Sequence, residues 1–402
     1  MKKLILLLSI LFAINLFSQG GNTFFSVKGS KIISPDGKEV LLKGINLGNW
    51  LVPEGYMFKF DKATSWRLIH TVIAELIGPD DALKFWEKYR DNYITYDDIK
   101  FIKSLGMNSI RLPFDFRLLT PEEYPEVWLD TGFNIFDKII SWCKKENIYL
   151  ILDMHCAPGG QTGDNIDNSW GYPYLFESVE SQNRMIEIWR KIAERYKDEA
   201  VIIGYDFMNE PIATYFDAEK LNPNLEPLYI KLTKAVREVD KNHLIFPGGA
   251  QWNTNFKIFG QPFDDKLVYN FHKYWCDTTQ EHVQDQVDFR NKYNVPLWMS
   301  ESGENTDEWI AGWRRLMEKN DISWCFWPYK KMDAKSCLVQ FDKPEDYDLI
   351  IEYANTPRNS FEDIRKLRPD TEKVKKALDK FLENSLFKNC RPNEGYIKAL
   401  GL

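Results

Sequence analysis

The sequence predicts an α/β chain folded as a single-domain (β/α)8 barrel of the TIM type, and three observations carry that expectation. Eight short apolar runs read as buried strands, most of them separated by amphipathic stretches of helical period; this alternation is the pattern of a parallel sheet wrapped by helices. Polar and charged residues recur just past these runs, on the face where barrels place their working groups. The chain has 402 residues and 44% hydrophobic content, enough to bury such a core as one domain. An open doubly wound sheet is the alternative, but no glycine-rich phosphate fingerprint follows the first run to favour it.

Taken in order, residues 1–19 read as an export signal and 20–402 as the barrel domain. Lys2 and Lys3 form a positive start, and Leu4 to Phe17 is an apolar stretch too short for a good membrane span. The remaining chain is expected to be exported, to the periplasm, the cell surface or beyond, with no membrane span of its own; a retained anchor is the alternative. A β-hairpin follows, Ile32-Ile33-Ser34 and Glu39-Val40-Leu41 around Pro35-Asp36-Gly37, with strong turn chemistry. The eight strand-like runs are Leu42 to Leu47, Ser109 to Pro113, Tyr149 to Met154, Ile202 to Met208, Leu244 to Pro247, Leu267 to Phe271, Leu297 to Ser300 and Ile322 to Trp327. Helical patterns include Phe133 to Lys145, Gln182 to Tyr196, Leu228 to Val239 and Val283 to Tyr293. Three long βα loops, Asn49 to Ile94, Ala157 to Glu177 and Pro328 to Ser360, fall on the side where a barrel builds a substrate cleft. Thr371 to Phe387 reads as a closing helix.

Composition narrows the partners. The net charge is −7 with no basic stripe, so nucleic acid is not an expected partner. Aromatics reach 15%, with 14 Trp, an excess that suits stacking on the apolar faces of sugar rings. The six cysteines match no zinc spacing and allow fifteen pairings. Cys143 and Cys325 lie in apolar segments and are expected as buried free thiols. A monomer is expected.

The chemistry lies at the strand ends. Strand two offers Arg111, strand three His155, strand four Asn209 and Glu210, strand six His272 and Tyr274, strand seven Glu301, and strand eight Trp327. Singly, each has a packing explanation: a capping arginine, a satisfied core histidine, a core tryptophan. Polar groups at six strand ends, all aimed at one rim, point to a site. Two of them are carboxylates, Glu210 in Asn209-Glu210-Pro211 and Glu301 after Met299-Ser300. Such a pair can divide acid and nucleophile work on a glycosidic bond. There is no His-x-His and no His-Glu-x-x-His, and zinc needs three or four convergent ligands. No catalytic metal and no cofactor are expected; Asp164 and Asp167 leave a loop calcium as an alternative.

With these residues in this order, the chain resembles glycoside hydrolase family 5, the cellulase-like retaining barrel glycosidases. The resemblance covers essentially everything after the leader. It implies that Glu210 is the acid/base and Glu301 the nucleophile. It also implies that Asn209 holds the sugar 2-hydroxyl, that His155 and His272 shape the reacting subsite, and that Trp327 is its stacking floor. Cationic Arg111 and the Tyr274 hydroxyl would keep the nucleophile ionised. A narrower resemblance joins Gly44-Ile45-Asn46-Leu47-Gly48-Asn49-Trp50-Leu51-Val52-Pro53-Glu54, and Ala157-Pro158-Gly159-Gly160-Gln161 with Asp167-Asn168-Ser169, to the exo-β-1,3-glucanases of that family. It implies that Glu54 and Asn168 bind the non-reducing sugar, and Lys330 also fits. Pro328, Tyr329 and Lys331-Met332-Asp333 depart from the fungal pattern. The expected partner is thus a β-linked glucan or its oligosaccharides, cut by double displacement, with a lean toward exo-action. A pocket is expected from the loops around Met57-Phe58 and Gly163-Asp164-Asn165. The alternatives are an endo-β-1,4-glucanase or other β-glycan hydrolase of the family, a transglycosylase, and, from another class, a catalytically inactive carbohydrate-binding barrel.

Overall fold

The computed structural model describes residues 23–402; the expected export signal lies outside them. A hairpin of β1 (Ser26–Lys28) and β2 (Lys31–Ile33) comes first. It precedes the barrel strands β3 (Lys43–Asn46), β4 (Ser109–Asp115), β5 (Tyr149–Cys156), β6 (Ile202–Asp206), β7 (Leu244–Phe246), β8 (Tyr269–His272), β9 (Leu297–Glu301) and β10 (Ser323–Phe326). These eight lie in the order β7-β6-β5-β4-β3-β10-β9-β8, and β3 pairs in parallel with both β4 and β10. Parallel bridges Ile245–Leu267 and Gly248–Asn270 stitch the seam between β7 and β8. The sheet therefore closes as predicted, with every strand end on a common rim.

The hairpin sits one turn earlier than the sequence suggests. The Pro35-Asp36-Gly37 turn forms, with Gly37 N donating to Ser34 O at 2.9 Å, but its ladder shrinks to the bridge Ile33–Glu39. The barrel takes the rest of that arm. Leu42 N donates to Ser323 Oγ at 2.9 Å, and Trp324 N donates to Leu42 O at 2.8 Å. Phe25 and Ile32 of the hairpin pack with Leu42, Ile151, Ile203, Val268, Trp298 and Cys325, closing the barrel's N-terminal mouth with an apolar plug.

Period-two alternation decides which side chains reach the interior. Along β4, Ile110, Leu112 and Phe114 join the core beneath the helices, so Arg111 between them points inward. Along β5, Leu150, Leu152 and Met154 do the same, which turns Asp153 and His155 into the barrel. The predicted helices form as Asp130–Glu146, Val179–Tyr196, Leu225–Arg237 and Glu281–Tyr293. The first long loop holds two helices, Trp66–Ile77 and Pro79–Asn92, and the helix Tyr96–Ser104 follows it. The closing helix Thr371–Asn384 presents Val374, Ala377, Leu378, Phe381 and Leu382 inward. Phe381 stacks on Phe58, Tyr89 and Tyr347, and this locks the C-terminal helix onto the first loop. The third long loop forms a small sheet that the sequence did not suggest, β11 (Lys330–Met332), β12 (Val339–Phe341) and β13 (Arg391–Pro392). Its antiparallel partner comes from the far C-terminus, beyond the closing helix.

Among the described residues no helix is long and apolar enough to cross a membrane. All six cysteines are free, Cys143 and Cys325 buried as expected.

Candidate active site

Arg111 is the hub. It is fully buried and its guanidinium reaches groups on four other strands or their ends. Nη1 donates to Asn46 Oδ1 at 3.0 Å and to Glu301 Oε2 at 2.8 Å. Nε donates to Asp206 Oδ2 at 2.9 Å and Nη2 to Asn209 Oδ1 at 2.8 Å, with Asp153 Oδ1 at 3.1 Å. One cation faces three buried carboxylates. Burial pushes Asp153 up to about 7 and Asp206 up to about 8, while Arg111 pulls both down.

Glu301 and Glu210 receive different surroundings. Tyr274 Oη donates to Glu301 Oε1 at 2.8 Å, so each oxygen of Glu301 carries one donor. Glu210 Oε1 instead meets His272 Nδ1 at 2.8 Å. Burial raises both carboxyls. For Glu301 the opposing pull of Arg111, helped by the Tyr274 hydroxyl, is strong; for Glu210 the neighbouring Glu301 charge adds to burial, and its pKa rises well above the usual range. The two donors on Glu301 therefore favour the proton of the pair on Glu210. Burial, with Arg111 and His155 beside it, drives His272 well below its ordinary value, so it cannot take that proton as a charged imidazolium. A carboxylate oxygen of Glu210 lies within 4.8 Å of one of Glu301. That spacing suits two carboxyls acting on opposite sides of one bond without a water between them. Together with His272 Nδ1 these oxygens also form a three-donor cluster. The Arg111 charge at 2.8 Å from Glu301 opposes a cation there.

The backbone of Glu210 is strained, with φ 44°, and Ile212 follows at φ 57°. Such values cost free energy and persist only where neighbours impose them. The loop after β5 supplies the constraint. Thr162 Oγ1 donates to Glu210 O at 2.8 Å, Ile212 N donates to Gln161 O at 2.8 Å, and Ala213 N donates to Thr162 O at 3.2 Å. Gln161 Nε2 donates to both His155 O and Asn209 O at 2.8 Å. The Gly159-Gly160-Gln161 segment thus clamps the Glu210 backbone.

His155 and Asn209 are fixed as a pair. Arg111 claims Asn209 Oδ1, so Nδ2 is the atom at 3.2 Å from His155 Nε2. Nε2 must accept, and Nδ1–H donates to Asp153 Oδ2 at 2.8 Å. Burial lowers His155 to about 3, so the ring is neutral. Its face stacks on Trp327, with centroids 5.6 Å apart and planes at 8°. Trp327 Nε1 donates to Tyr56 Oη at 2.8 Å, and Tyr56 donates to Glu304 Oε1 at 2.8 Å. Lys331 Nζ closes the chain on Glu304 Oε2 at 2.6 Å. Gly48 lies against the Trp327 ring; a Cβ there would stand 2.5 Å from it.

These groups line a cleft of about 710 Å³ on the strand-end face. Of the residues the sequence singles out, Glu54, His155, Glu210, His272, Tyr274, Glu301 and Trp327 line it, while Arg111 and Asn209 stand behind it. Glu54 is buried, and burial together with the Glu301 and Glu304 charges raises its pKa well above the usual range. Asn168 does not reach the cleft. Its Nδ2 donates to Asp115 Oδ2 at 3.0 Å and its Oδ1 accepts from Arg67 N at 2.9 Å, so its amide holds the loop; Asn165, one turn earlier, lines the cleft instead. Lys330 is likewise structural. Its Nζ pairs with Asp98 Oδ1 at 2.7 Å and donates to Tyr93 O and Ser385 O. Met57 and Phe58 are buried in the core, and the two loops around them and around Gly163-Asp164-Asn165 reach the cleft through Tyr56 and Asn165. Asp167 spends its carboxylate on the amides of Thr162, Gly163 and Ser169, and Asp164 on Asn165 N and Tyr215. Neither is left as a free ligand for calcium.

Sequence reasoning missed Tyr56, Glu304, Trp252 and Trp275, all of them lining residues. Trp252 is presented by three consecutive left-handed residues, Gln251, Trp252 and Asn253. The signal for it was the Gly248-Gly249 pair, where a Cβ on Gly248 would collide with Asn253 at 1.8 Å.

A closed parallel barrel whose strand-end cleft holds two carboxyls of divided protonation defines a barrel glycoside hydrolase. Residues 65–333 match the model for Cellulase (glycosyl hydrolase family 5), and the chain belongs to that family. Among curated relatives it is 32% identical to a β-xylosidase of Phanerodontia chrysosporium, the match covering 62% of this chain and 52% of that protein. It is 27% identical to Endoglucanase C of Acetivibrio thermocellus, over 66% of this chain and 92% of that one. It is 28% identical to the probable glucan 1,3-beta-glucosidase A of Aspergillus clavatus, over 63% and 61%. The chain thus spans about half the length of the first of these and most of the second. Solved structures of the same fold include an endogalactoceramidase, with TM-score 0.56 and 18% identity over 76% of this chain and 74% of that one. Another is Cel5A of Thermotoga maritima in complex with cellobiose, with TM-score 0.50 and 20% identity over 72% and 90%.

Proposed function

We propose that this glycoside hydrolase is a retaining enzyme that cleaves β-glucosidic bonds in a β-glucan or its oligosaccharides, with Glu301 as nucleophile and Glu210 as acid/base. The observation that carries the reading is the unequal treatment of two carboxyls within 4.8 Å of each other. Glu301 is held ionised by Arg111 and Tyr274, and Glu210 is left with the proton. In the first step Glu301 attacks the anomeric carbon while Glu210 protonates the departing oxygen. The Glu301 charge vanishes in the ester, which removes the second cause of the raised Glu210 pKa. Glu210, now a base, draws the proton from water, and the intermediate is released with its configuration retained. Asn209 Nδ2 keeps one hydrogen beyond its bond to His155, and that hydrogen is suited to the sugar 2-hydroxyl. The β-glucan substrate is supported by the two glucan-acting relatives named above and by the Trp327 platform, whose indole suits a pyranose face.

Exo-action is the narrower part of the proposal. Tyr56 and Glu304, braced by Lys331 from behind, stand as a linked wall beside Trp327, with Glu54 lining the same cleft, and such a wall favours a chain end over an interior segment. Export of the enzyme, with the glucan encountered outside the cytoplasm, belongs to the same proposal. A timed product profile on laminarin, cellulose oligosaccharides and mixed-linkage β-glucan tests it, with the anomer of the first product read by NMR. Glucose alone from the start, released as the β-anomer, is the expected result. An α-anomer overturns retention, a ladder of oligosaccharides overturns exo-action, and no turnover overturns the glucan assignment.

A further inference from the structure

A second cavity, of about 450 Å³, opens beside the first over the end of β4 and the helices of the first long loop. The mechanism uses none of its residues. Trp66 and Trp86 form one side, and their indoles meet edge to face at 6.0 Å. Arg67, Arg117 and Glu122 form another. Arg117 grips Glu122 with Nε and Nη2 at 3.0 and 2.9 Å, and Arg67 Nη2 reaches the same carboxylate at 3.1 Å. Trp170, outside the lining itself and 66% exposed, packs on two of these residues. Its ring lies 3.6 Å from the Arg67 guanidinium and its Nε1 donates to Glu122 at 3.2 Å.

Three donors there have no protein acceptor. Trp66 Nε1 and Arg67 Nε are buried without a hydrogen-bond partner among the described residues. His70 Nδ1 accepts from Trp86 Nε1 at 3.0 Å, which places the hydrogen of the neutral ring on Nε2. Unpartnered buried donors such as Trp66 Nε1 and Arg67 Nε cost free energy; both lie just behind the lining, so a ligand reaches them as the side chains shift. The charges balance locally, Arg67, Arg90 and Arg117 against Glu87, Glu122 and Asp115. That balance selects against an anion and suits a neutral polyol that both donates and accepts. The Trp66 and Trp86 indoles add apolar wall of the kind that packs against a pyranose ring.

The position supports the same ligand. Asn165 lines the catalytic cleft and Asn168 lines this cavity, and the 3-10 turn Asn165–Asp167 is the wall between them. One such turn spans about 6 Å, so the two cavities are neighbours on one rim. The geometry points to the Trp66–Trp86–Glu122 cavity as a second glycan-binding site, which holds another stretch of the β-glucan while its end is cut in the cleft. This rests on the β-glucan hydrolase reading and adds a site that the reading does not need.

The test uses the full chain carrying Glu301→Gln, titrated with laminari- and cello-oligosaccharides by calorimetry, alone and combined with Trp66→Ala or Trp170→Ala. Two oligosaccharides per chain are expected, with one lost in each tryptophan variant. In the active enzyme the same tryptophan changes should raise KM on polymeric glucan about 3- to 10-fold, the size of one lost stacking contact. Turnover of an aryl β-glucoside should stay within about 1.5-fold, too small a change for a contact to have been lost at the cleft. Trp170 is exposed, so its variant keeps the test valid should Trp66→Ala fail to fold. One oligosaccharide per chain, unaffected by either change, overturns the second site and leaves the hydrolase standing. Wild-type failure on every glucan overturns the hydrolase reading. The titration still decides the second site, because binding there requires no cleavage.

Discussion

Replacing Tyr274 with Phe removes one atom and isolates the control of Glu301. The hydroxyl donates to Glu301 Oε1 at 2.8 Å, Arg111 serves Oε2 at 2.8 Å, and His272 Nδ1 stands 4.0 Å away. Without the hydroxyl, Oε1 has no donor at bonding distance among the described residues. A hydrogen bond to a charged group is worth about 1.5–3 kcal/mol. The bond exists only to the ionised carboxylate, so its loss favours the protonated form. At 1.36 kcal/mol per pKa unit, Glu301 should rise by about 1–2 units. The sign follows directly. Activity needs ionised Glu301, so the acidic limb of kcat/KM moves to higher pH by that amount. Well below both limbs, activity falls by about 10- to 150-fold, while the alkaline limb, set by loss of the Glu210 proton, stays in place.

The assay is a pH profile of kcat/KM on an aryl β-glucoside, beside a thermal melt. Burial and the Glu301 charge hold the Tyr274 hydroxyl protonated far above any working pH, so its own titration cannot mimic the shift. The ring packs on Trp275 at 5.3 Å in either variant, so the fold should survive; where Glu301 is ionised the lost bond should lower the melting temperature by only a few degrees. An unchanged acidic limb in a folded variant would refute the assignment of Glu301 as the group that must be ionised.

Three further outcomes are expected. Glu301→Ala should abolish turnover of unactivated substrates, with azide restoring reaction as the α-glycosyl azide; normal hydrolysis by this variant would sink the nucleophile role. Glu210→Ala should slow poor leaving groups far more than activated aryl glycosides, and equal loss on both counts against an acid role. Arg111→Met should cost about 3–5 kcal/mol of stability, because it strands the buried carboxylates of Asp153, Asp206 and Glu301; a denaturant midpoint like that of the wild type would show that the ion cluster is not what holds the strand ends.

The parts of the site that were legible in sequence are those fixed by strand period. Arg111 lies between Ile110 and Leu112, so alternation alone sends it inward once β4 is recognised. Glu301 and His272 were readable for the same reason, as the terminal residues of β9 and β8. Loop residues escape that logic. Asn165 and Asn168 lie at the two ends of one turn, and only the bonds of Asn168 to Asp115 and Arg67 show that Asn165 is the one that faces the cleft. Lys330 resembles a site residue in sequence, yet its ammonium turns away to Asp98. Tyr56 and Glu304 lie far apart in the chain and meet only when the first loop folds against the end of β9, where Tyr56 Oη donates to Glu304 Oε1. The β11–β13 sheet depends on a C-terminal partner, and no local pattern announces such pairings.

Closure of the barrel and division of the proton are one physical fact. Arg111 can hold Glu301 ionised only if β9 lies across the barrel from β4, and β6 must bring Asp206 and Asn209 to the same guanidinium. That cation is buried, which is costly unless every donor is satisfied, and four strands each contribute an acceptor to satisfy it. The same arrangement gives Glu210 no direct bond to that cation, and burial with the Glu301 charge outweighs the pull of Arg111 on it. Its carboxyl leaves the strand through a left-handed residue pinned by Gln161 and Thr162, and it turns to a neutral histidine. A shift of β6 by one residue would exchange these environments and give both carboxyls the same partner or none. The strain at Glu210 is therefore the cost of keeping two like groups within 4.8 Å but unlike in protonation. Relieving it by Pro211→Gly should loosen the Glu210 backbone and lower kcat on poor leaving groups before it affects binding. A rise in KM with kcat intact would show that the clamp serves the substrate and not the acid.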